Sequence, residues 1–234
     1  MPDAAAHQYL FVAIDRASRW VYVEILPEKT AANARDFLRR LVEKAPFTIE
    51  KILTDNGKEF TDRFCATGER EPTGRHLFDQ GCADHSIEHR LTAPRHPQTN
   101  GMVERFNGRI AEVLATTRFD SSQNLADTLN GYVRLYNHQI PQKALGHIAP
   151  IQALKDWQQQ CPERFKKRVY NLAGLDIWER SFEAVFNQAD SEMGNINPDP
   201  AAVQRMGSMN CSAAAAKWIQ HDIAFVAAGL NNAL

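Results

Sequence analysis

The 234-residue sequence predicts an α/β fold, a mixed sheet flanked by helices. Three observations carry that reading. Apolar runs at residues 8–14 and 20–26 are separated only by a short turn at 16–19. A further apolar run at 49–54 ends on Asp55, and Asn56-Gly57 behind it is a strong turn signal. Elsewhere apolar residues recur at helical spacing: Ala34, Phe37, Leu38 and Leu41; Val103, Phe106, Ile110 and Leu114; Leu125, Leu129, Tyr132 and Val133.

Taken in order, residues 8–14 and 20–26 are strands. Thr30 caps a helix over 31–44. Residues 49–54 form the strand that carries Asp55. Residues 61–75 mix charges with Gly68, Pro72 and Gly74 and read as a solvated loop. A short helix at 75–84 and a strand at 87–91 follow. Asn100-Gly101 starts a helix over 101–117, which puts Glu104 in its first turn, where a carboxylate also gains from the helix dipole. A last core helix spans 124–137. The chain divides into a stub at 1–8, a core at 9–120, a helical part of that core at 121–175 and an atypical acidic tail at 176–234.

Charge divides along the same line. The formal net charge is −1, a weak argument against a nucleic-acid binder. Residues 1–175 carry 24 Lys+Arg against 21 Asp+Glu, whereas residues 176–234 carry 3 against 7. Arg90, Arg95, Arg105, Arg109 and Arg118 face only Glu104 and Glu112 within 90–118. Such a basic segment suits phosphate contacts, although each Arg fits a solvated helix face equally well. Cysteines 65, 82, 161 and 211 are scattered, which suits a reducing compartment without disulfides. A zinc site from Cys65, His76, Cys82 and His85 has no recognised spacing. No leader and no membrane-spanning stretch is legible, so the sequence predicts a cytoplasmic, DNA-associated protein with no membrane partner.

Two segments carry chemistry: Leu53-Thr-Asp-Asn-Gly-Lys-Glu-Phe60, and the run from Pro94 to Gly108. They offer Asp55 at a strand end and Glu104 at a helix start, with 48 residues between them. Phosphoryl transfer on DNA needs one group to activate the attacking oxygen and another to stabilise the leaving oxygen. Two Mg2+ ions about 3.5–4 Å apart do both. Mg2+ prefers carboxylates, so acids from separate elements must converge. Either motif alone is weak, since Asp-Asn-Gly is a common turn and an acidic first turn is common capping.

The combination resembles the catalytic core of bacterial insertion-sequence transposases related to retroviral integrases. The blocks are Tyr9-Leu-Phe-Val-Ala-Ile-Asp-Arg-Ala-Ser-Arg-Trp20, then Leu53 to Phe60, then Pro94 to Asn107, then Tyr136-Asn137 with Pro141-Gln-Lys-Ala-Leu-Gly146 and Pro150. The resemblance spans residues 7–175. It implies an RNase H-like integrase core, a triad of two Asp and one Glu, Mg2+ with Mn2+ as substitute, and DNA cleavage and strand transfer. Its partners would be transposon ends and target DNA, with a second copy or a full-length transposase. Asp55 maps to the second Asp and Glu104 to the Glu, so both are the expected metal ligands. Lys58, Arg95, Gln98, Asn100, Arg105 and Arg109 flank these motifs and are the expected DNA contacts; for Gln98 and Asn100 a loop-holding role weighs equally.

The first Asp departs from the pattern. The Tyr9 block resembles the family's second strand, and residues 1–8 read as no strand. The expectation is therefore that the first Asp and its strand are missing, with Asp15 as the alternative first ligand. A central strand so missing would leave unpaired backbone in mid-sheet and an aggregation-prone chain. The tail reads as read-through beyond a lost stop, with a genuine interaction segment as the alternative. Within it residues 213–230 are expected to form an amphipathic helix on Ile219, Ile223, Val226 and Leu230. The functional expectation is a transposase of the polynucleotidyl-transferase type, in truncated form. The alternative is a catalytically inactive DNA-binding remnant or dominant-negative partner.

Overall fold

The computed structural model describes residues 8–65, 68–93, 101–117, 121–170 and 222–229. Strand β1 (Tyr9–Asp15) turns back into β2 (Val21–Leu26) as an antiparallel pair, Val12 opposite Val23. Helix α1 (Ala31–Lys44) follows, its first turn closed by the Thr30 hydroxyl accepting from the Asn33 N–H at 3.2 Å. Then come β3 (Lys51–Thr54), the two-residue strands β4 (Phe64–Cys65) and β5 (Gly68–Glu69), α2 (Leu77–Asp84) and β6 (Glu88–Leu91). The chain continues with α3 (Gly101–Thr116), α4 (Ser122–His138), α5 (Pro150–Gln160) and, far downstream, β7 (Asp222–Gly229).

The main sheet runs β2-β1-β7-β3-β6. Strand β7, from the tail, occupies the centre. It pairs antiparallel with β1, Tyr9 to Asp15 opposite Gly229 to Ile223, and parallel with β3, Lys51 to Thr54 beside Asp222 to Phe225. No gap is left between β1 and β3, contrary to the expectation of unpaired backbone there. The amphipathic helix expected over 213–230 is also overturned where it can be seen. Residues 223–228 form an unbroken apolar run, which suits a strand covered on both faces. Helical spacing over so short a run does not discriminate.

Both faces are buried. Phe11 and Ala13 of β1 pack with Ile52 of β3 against Phe37, Leu38 and Leu41 of α1, Phe78 of α2 and Leu154 of α5. Leu10, Val12 and Ile14 pack against Val103, Phe106 and Ile110 of α3 and Leu129, Tyr132 and Tyr136 of α4. Strand β1 thus lies inside a three-layer core, which is why it lacks polar alternation.

Two further readings change. The expected loop at 61–75 holds the β4–β5 hairpin and is organised by Asp62, which accepts from the Thr73 hydroxyl at 2.6 Å, the Thr73 N–H at 3.0 Å and the Arg70 guanidinium at 2.7 Å. Those contacts hold its carboxyl down at about 2, the two Thr73 bonds contributing most. Cys161, fully buried, is disulfide-bonded, whereas Cys82 is free and buried; the expectation of no disulfide fails there. Among the described residues no helix is long and apolar enough to cross a membrane.

Candidate functional site

Asp55 follows the last residue of β3, and the motif around it folds into a tight turn. The Gly57 N–H donates to Asp55 Oδ1 at 2.9 Å. The Asn56 amide donates to the Thr92 carbonyl at 3.0 Å, fastening the turn to the end of β6. Phe60 and Thr61 N–H groups both donate to the Gly57 carbonyl. Phe60 is fully buried and meets the Phe78 ring edge-on at 5.2 Å. A Cβ at Gly57 would lie 2.5 Å from Glu59 Oε1, so any side chain there would displace the Glu59 carboxylate. Glu59 is only 3% exposed and pairs with Lys29 at 2.9 Å. Its Oε1 makes no well-aligned hydrogen bond, so that contact is ionic in character.

Burial pushes the Asp55 carboxyl above its ordinary value, partly offset by the Gly57 N–H and the Lys29 charge. The folded state therefore binds this proton more tightly than the unfolded chain. Stability contributed by Asp55 falls as pH rises from the unfolded value near 3.8 through the raised folded one. Asp55→Asn is expected to flatten that part of the stability–pH curve and to leave the neutral-pH melting temperature equal or higher. Thermal melts across mildly acidic to neutral pH test this, and a clear neutral-pH loss in the variant would contradict it.

Strand alternation fixes the face. Ile52 packs toward α1, and Thr54 Oγ1 meets His89 Nε2 at 2.8 Å beside Phe78 on that same side. Lys51, Leu53 and Asp55 thus belong to the other side, the one covered by α3. There Val103 is fully buried against Val12, and Glu104 beside it is exposed in the first turn of α3. Asp55 and Glu104 accordingly share one side of the sheet.

Asp15 does not join them. It ends β1 fully buried and shapes the β1–β2 turn: its carboxylate accepts from the Ser18 N–H at 2.8 Å and from the Ser18 hydroxyl. On the register it is level with Ile223 and hence with Ile52, three residues short of Asp55 and two strands away. That separates the two backbones by ~10 Å along the strands and ~9.6 Å across them. Both distances exceed what one pair of cations spans. Among the described residues no three acidic, His or Cys side chains converge as a metal cluster.

Of the expected DNA contacts, Lys58 and Arg105 are exposed and Arg109 is half-buried. Arg95, Gln98 and Asn100 lie outside the described residues. The sequence reading missed Arg19. This residue takes a left-handed φ of 62° in the β1–β2 turn, and its Nη1 is buried without a hydrogen-bond partner. Burial lowers its pKa first of all; Tyr136 and Asp15 counter that, and neighbouring Arg16 and Arg105 lower it further. Arg109 hydrogen-bonds to Tyr132, whose own burial pushes it up to about 12. Arg19, Arg105 and Arg109 thus all act electrostatically on Tyr136, Arg109 acts also on Tyr132, and Arg16, Arg105 and Asp15 act on Arg19.

Comparison with known proteins decides the family. Two family models, both described as the integrase core domain, match residues 2–97 and 85–150. Residues 2–150 belong to the integrase core domain family. ORF3 of Spiroplasma virus SpV1-C74, whose name carries the word integrase, is 26% identical over 62% of this chain and 41% of its own length. The retrovirus-related Pol polyprotein from transposon TNT 1-94 of Nicotiana tabacum is 30% identical over 45% of this chain and 7% of its own length. The chain thus spans less than half the length of the curated relatives it matches. A crystal structure of the catalytic core domain of BIV integrase aligns with TM-score 0.49 and 22% identity over 64% of this chain and 88% of that one.

Sequence reasoning passed over the Lys29–Glu59 ion pair that lies beside the Asp55 turn. Glu59 lay inside the quoted motif, but nothing in the sequence sets it apart from a solvated turn acid. Lys29 carried no signal either, since only the fold brings the start of α1 beside the turn after β3.

Proposed function

We propose that this integrase core binds DNA along α3 and the β1–β2 turn and does not by itself complete the cation centre needed to cut it. An integrase/transposase-type function is what the family supports. The observation that carries the finer reading is the buried Arg19 Nη1 left unpartnered, on a guanidinium that Arg16 and Arg105 both repel. A half-buried guanidinium among like charges is relieved by an anion, and a phosphate backbone supplies anions at regular spacing. Lys58 extends the same basic character next to Asp55. Arg95, Gln98 and Asn100 remain candidates for the same role.

Asp55 and Glu104 are the pair such a protein would use toward Mg2+, or Mn2+ in its place. Two carboxylates with Asp15 committed elsewhere do not fit the centre of converging acids that strand transfer requires, and no step of cleavage is assigned to them here. Pairing with a full-length transposase or a second copy would supply an active partner and belongs to the same reading.

The test is fluorescence anisotropy on a duplex at several salt concentrations, with a Mn2+-dependent disintegration assay on branched DNA beside it. The expected result is salt-dependent binding and no turnover. Arg105→Ala and Arg109→Ala should each weaken binding to all sequences alike and reduce the log–log salt slope by about 0.9. Salt-independent binding, or turnover abolished by Glu104→Gln, would overturn the reading.

A further inference from the structure

The geometry points to Val226 as the residue standing where a third carboxylate would complete the Asp55 site. The tail strand fills the centre of the sheet, between β1 and β3, while the cation centre stays one acid short. This deepens the reading given under the proposed function, and rests on it for the identity of the site.

The register makes the assignment. Thr54 is level with Phe225 in the parallel β3–β7 pair, so Asp55, the next residue, is level with Val226. On the other flank Val226 stands opposite Val12. Val12 belongs to the side packed against Val103 of α3, one residue from Glu104, and Asp55 falls on that same side by alternation. The backbone at 226 therefore lies one strand spacing, ~4.8 Å, from the level of Asp55 and beneath the first turn of α3. Three elements meet at that point: the end of β3, the middle of β7 and the start of α3. Two contribute acids and the third contributes Val226.

No other acid of the strand can substitute. Asp222, the sole carboxylate of β7, is level with Lys51, four residues away, or ~13 Å along the strand. Asp15 is spent on Ser18 and is level with Ile223. The apolar character that lets 223–228 serve as a central strand is thus the same feature that removes the ligand. A carboxylate at this position would stand in mid-sheet, where only a bound cation offsets its desolvation.

The test is calorimetric titration of the full chain with Mn2+ alone. The parent should bind weakly. Val226→Asp should bind about tenfold more tightly or better, since ligand charge count sets affinity at such sites, and Val226→Asp with Asp55→Asn should lose the gain. Ala227→Asp adds the same charge one residue on, level with Phe11 on the α1 side, and should gain nothing. Equal affinity in parent and Val226→Asp, or an equal gain in Ala227→Asp, would overturn the assignment. Should Val226→Asp fail to fold, hydrogen exchange on the parent decides. Amides of 222–229 protected like those of 9–15 support the register, and rapid exchange at 222–229 refutes it. Failure of the DNA-binding reading would appear as salt-independent anisotropy of the parent and would leave the Mn2+ titrations unchanged.

Discussion

A chain ending at residue 221 is expected to lose cooperative unfolding. Strand β7 pairs with seven residues of β1 and four of β3, so its removal turns both into open edges in the middle of the molecule. Each backbone hydrogen bond contributes about 0.5–1.5 kcal/mol net, and a buried group left unpaired costs about 1–3 kcal/mol. Even at the lower figure, about ten such bonds equal the whole stability of an ordinary domain, about 5–15 kcal/mol. The loss is compounded because β1 is buried on both faces and has no solvent to turn its freed amides toward. Urea unfolding of the full chain should give one sigmoidal transition; the shortened chain should give a shallow slope and bind a hydrophobic dye. Phe225→Pro in the full chain should act in the same direction, since proline removes a ladder donor in mid-sheet. A shortened chain with an unchanged urea midpoint would mean that β7 contributes nothing to the sheet.

That expectation turns on β7, where the sequence predicted a helix instead of a strand, and the difference shows where sequence reasoning runs out. Strands β1 and β2 and helices α1, α3 and α4 were legible because their periods are long or flanked by turns and caps: α1 begins and ends where Thr30 and the apolar stripe place it. Strand β7 is a short apolar run separated by more than 130 residues from either neighbour in the sheet. Its pairing is decided by a vacancy elsewhere, which no local window contains. Helix α5 was passed over for a related reason. Pro150 was noted as a motif residue, yet a proline at the first helical position is also a start signal.

The site divides in the same manner. The placement of Asp55 was legible because strand, acid and turn are contiguous, and that of Glu104 because a helix start is a local event. Asp15 was ambiguous because its sequence context, an acid ending an apolar strand, is the same as that of Asp55. The difference lies three residues on, in Ser18, which takes up the Asp15 carboxylate. Arg19 was invisible because its unpaired guanidinium arises only when α3 and α4 close over the β1–β2 turn.

The second large effect is expected at Asn137. It sits in the last turn of α4, 6% exposed, and its amide reads the edge of the sheet as another strand would. The Val21 N–H donates to Asn137 Oδ1 at 2.8 Å, and Asn137 Nδ2 donates to the Val21 carbonyl at 2.8 Å. Since β2 is an outer strand, these two bonds satisfy backbone groups that no further strand reaches. Asn137→Ala abandons both in a dry setting and is expected to cost about 2–5 kcal/mol. Asn137→Leu, which keeps the branched heavy-atom skeleton of Asn, should recover little, which separates lost hydrogen bonds from lost packing. Asn137→Asp should be worse than Ala near neutral pH, because a carboxylate would then face the Val21 carbonyl. Urea midpoints at constant m-value measure all three, and a loss under about 0.5 kcal/mol in Asn137→Ala would refute the claim. The consequence reaches the face proposed to bind DNA. Tyr136, the adjacent residue, stacks edge-on against Phe106 of α3 at 5.1 Å, two residues from Glu104 and next to Arg105. Releasing the end of α4 from β2 loosens the packing that holds α3 over the sheet, so Asn137→Ala should also weaken DNA binding while the salt slope, set by the number of phosphate contacts, stays near the parent value.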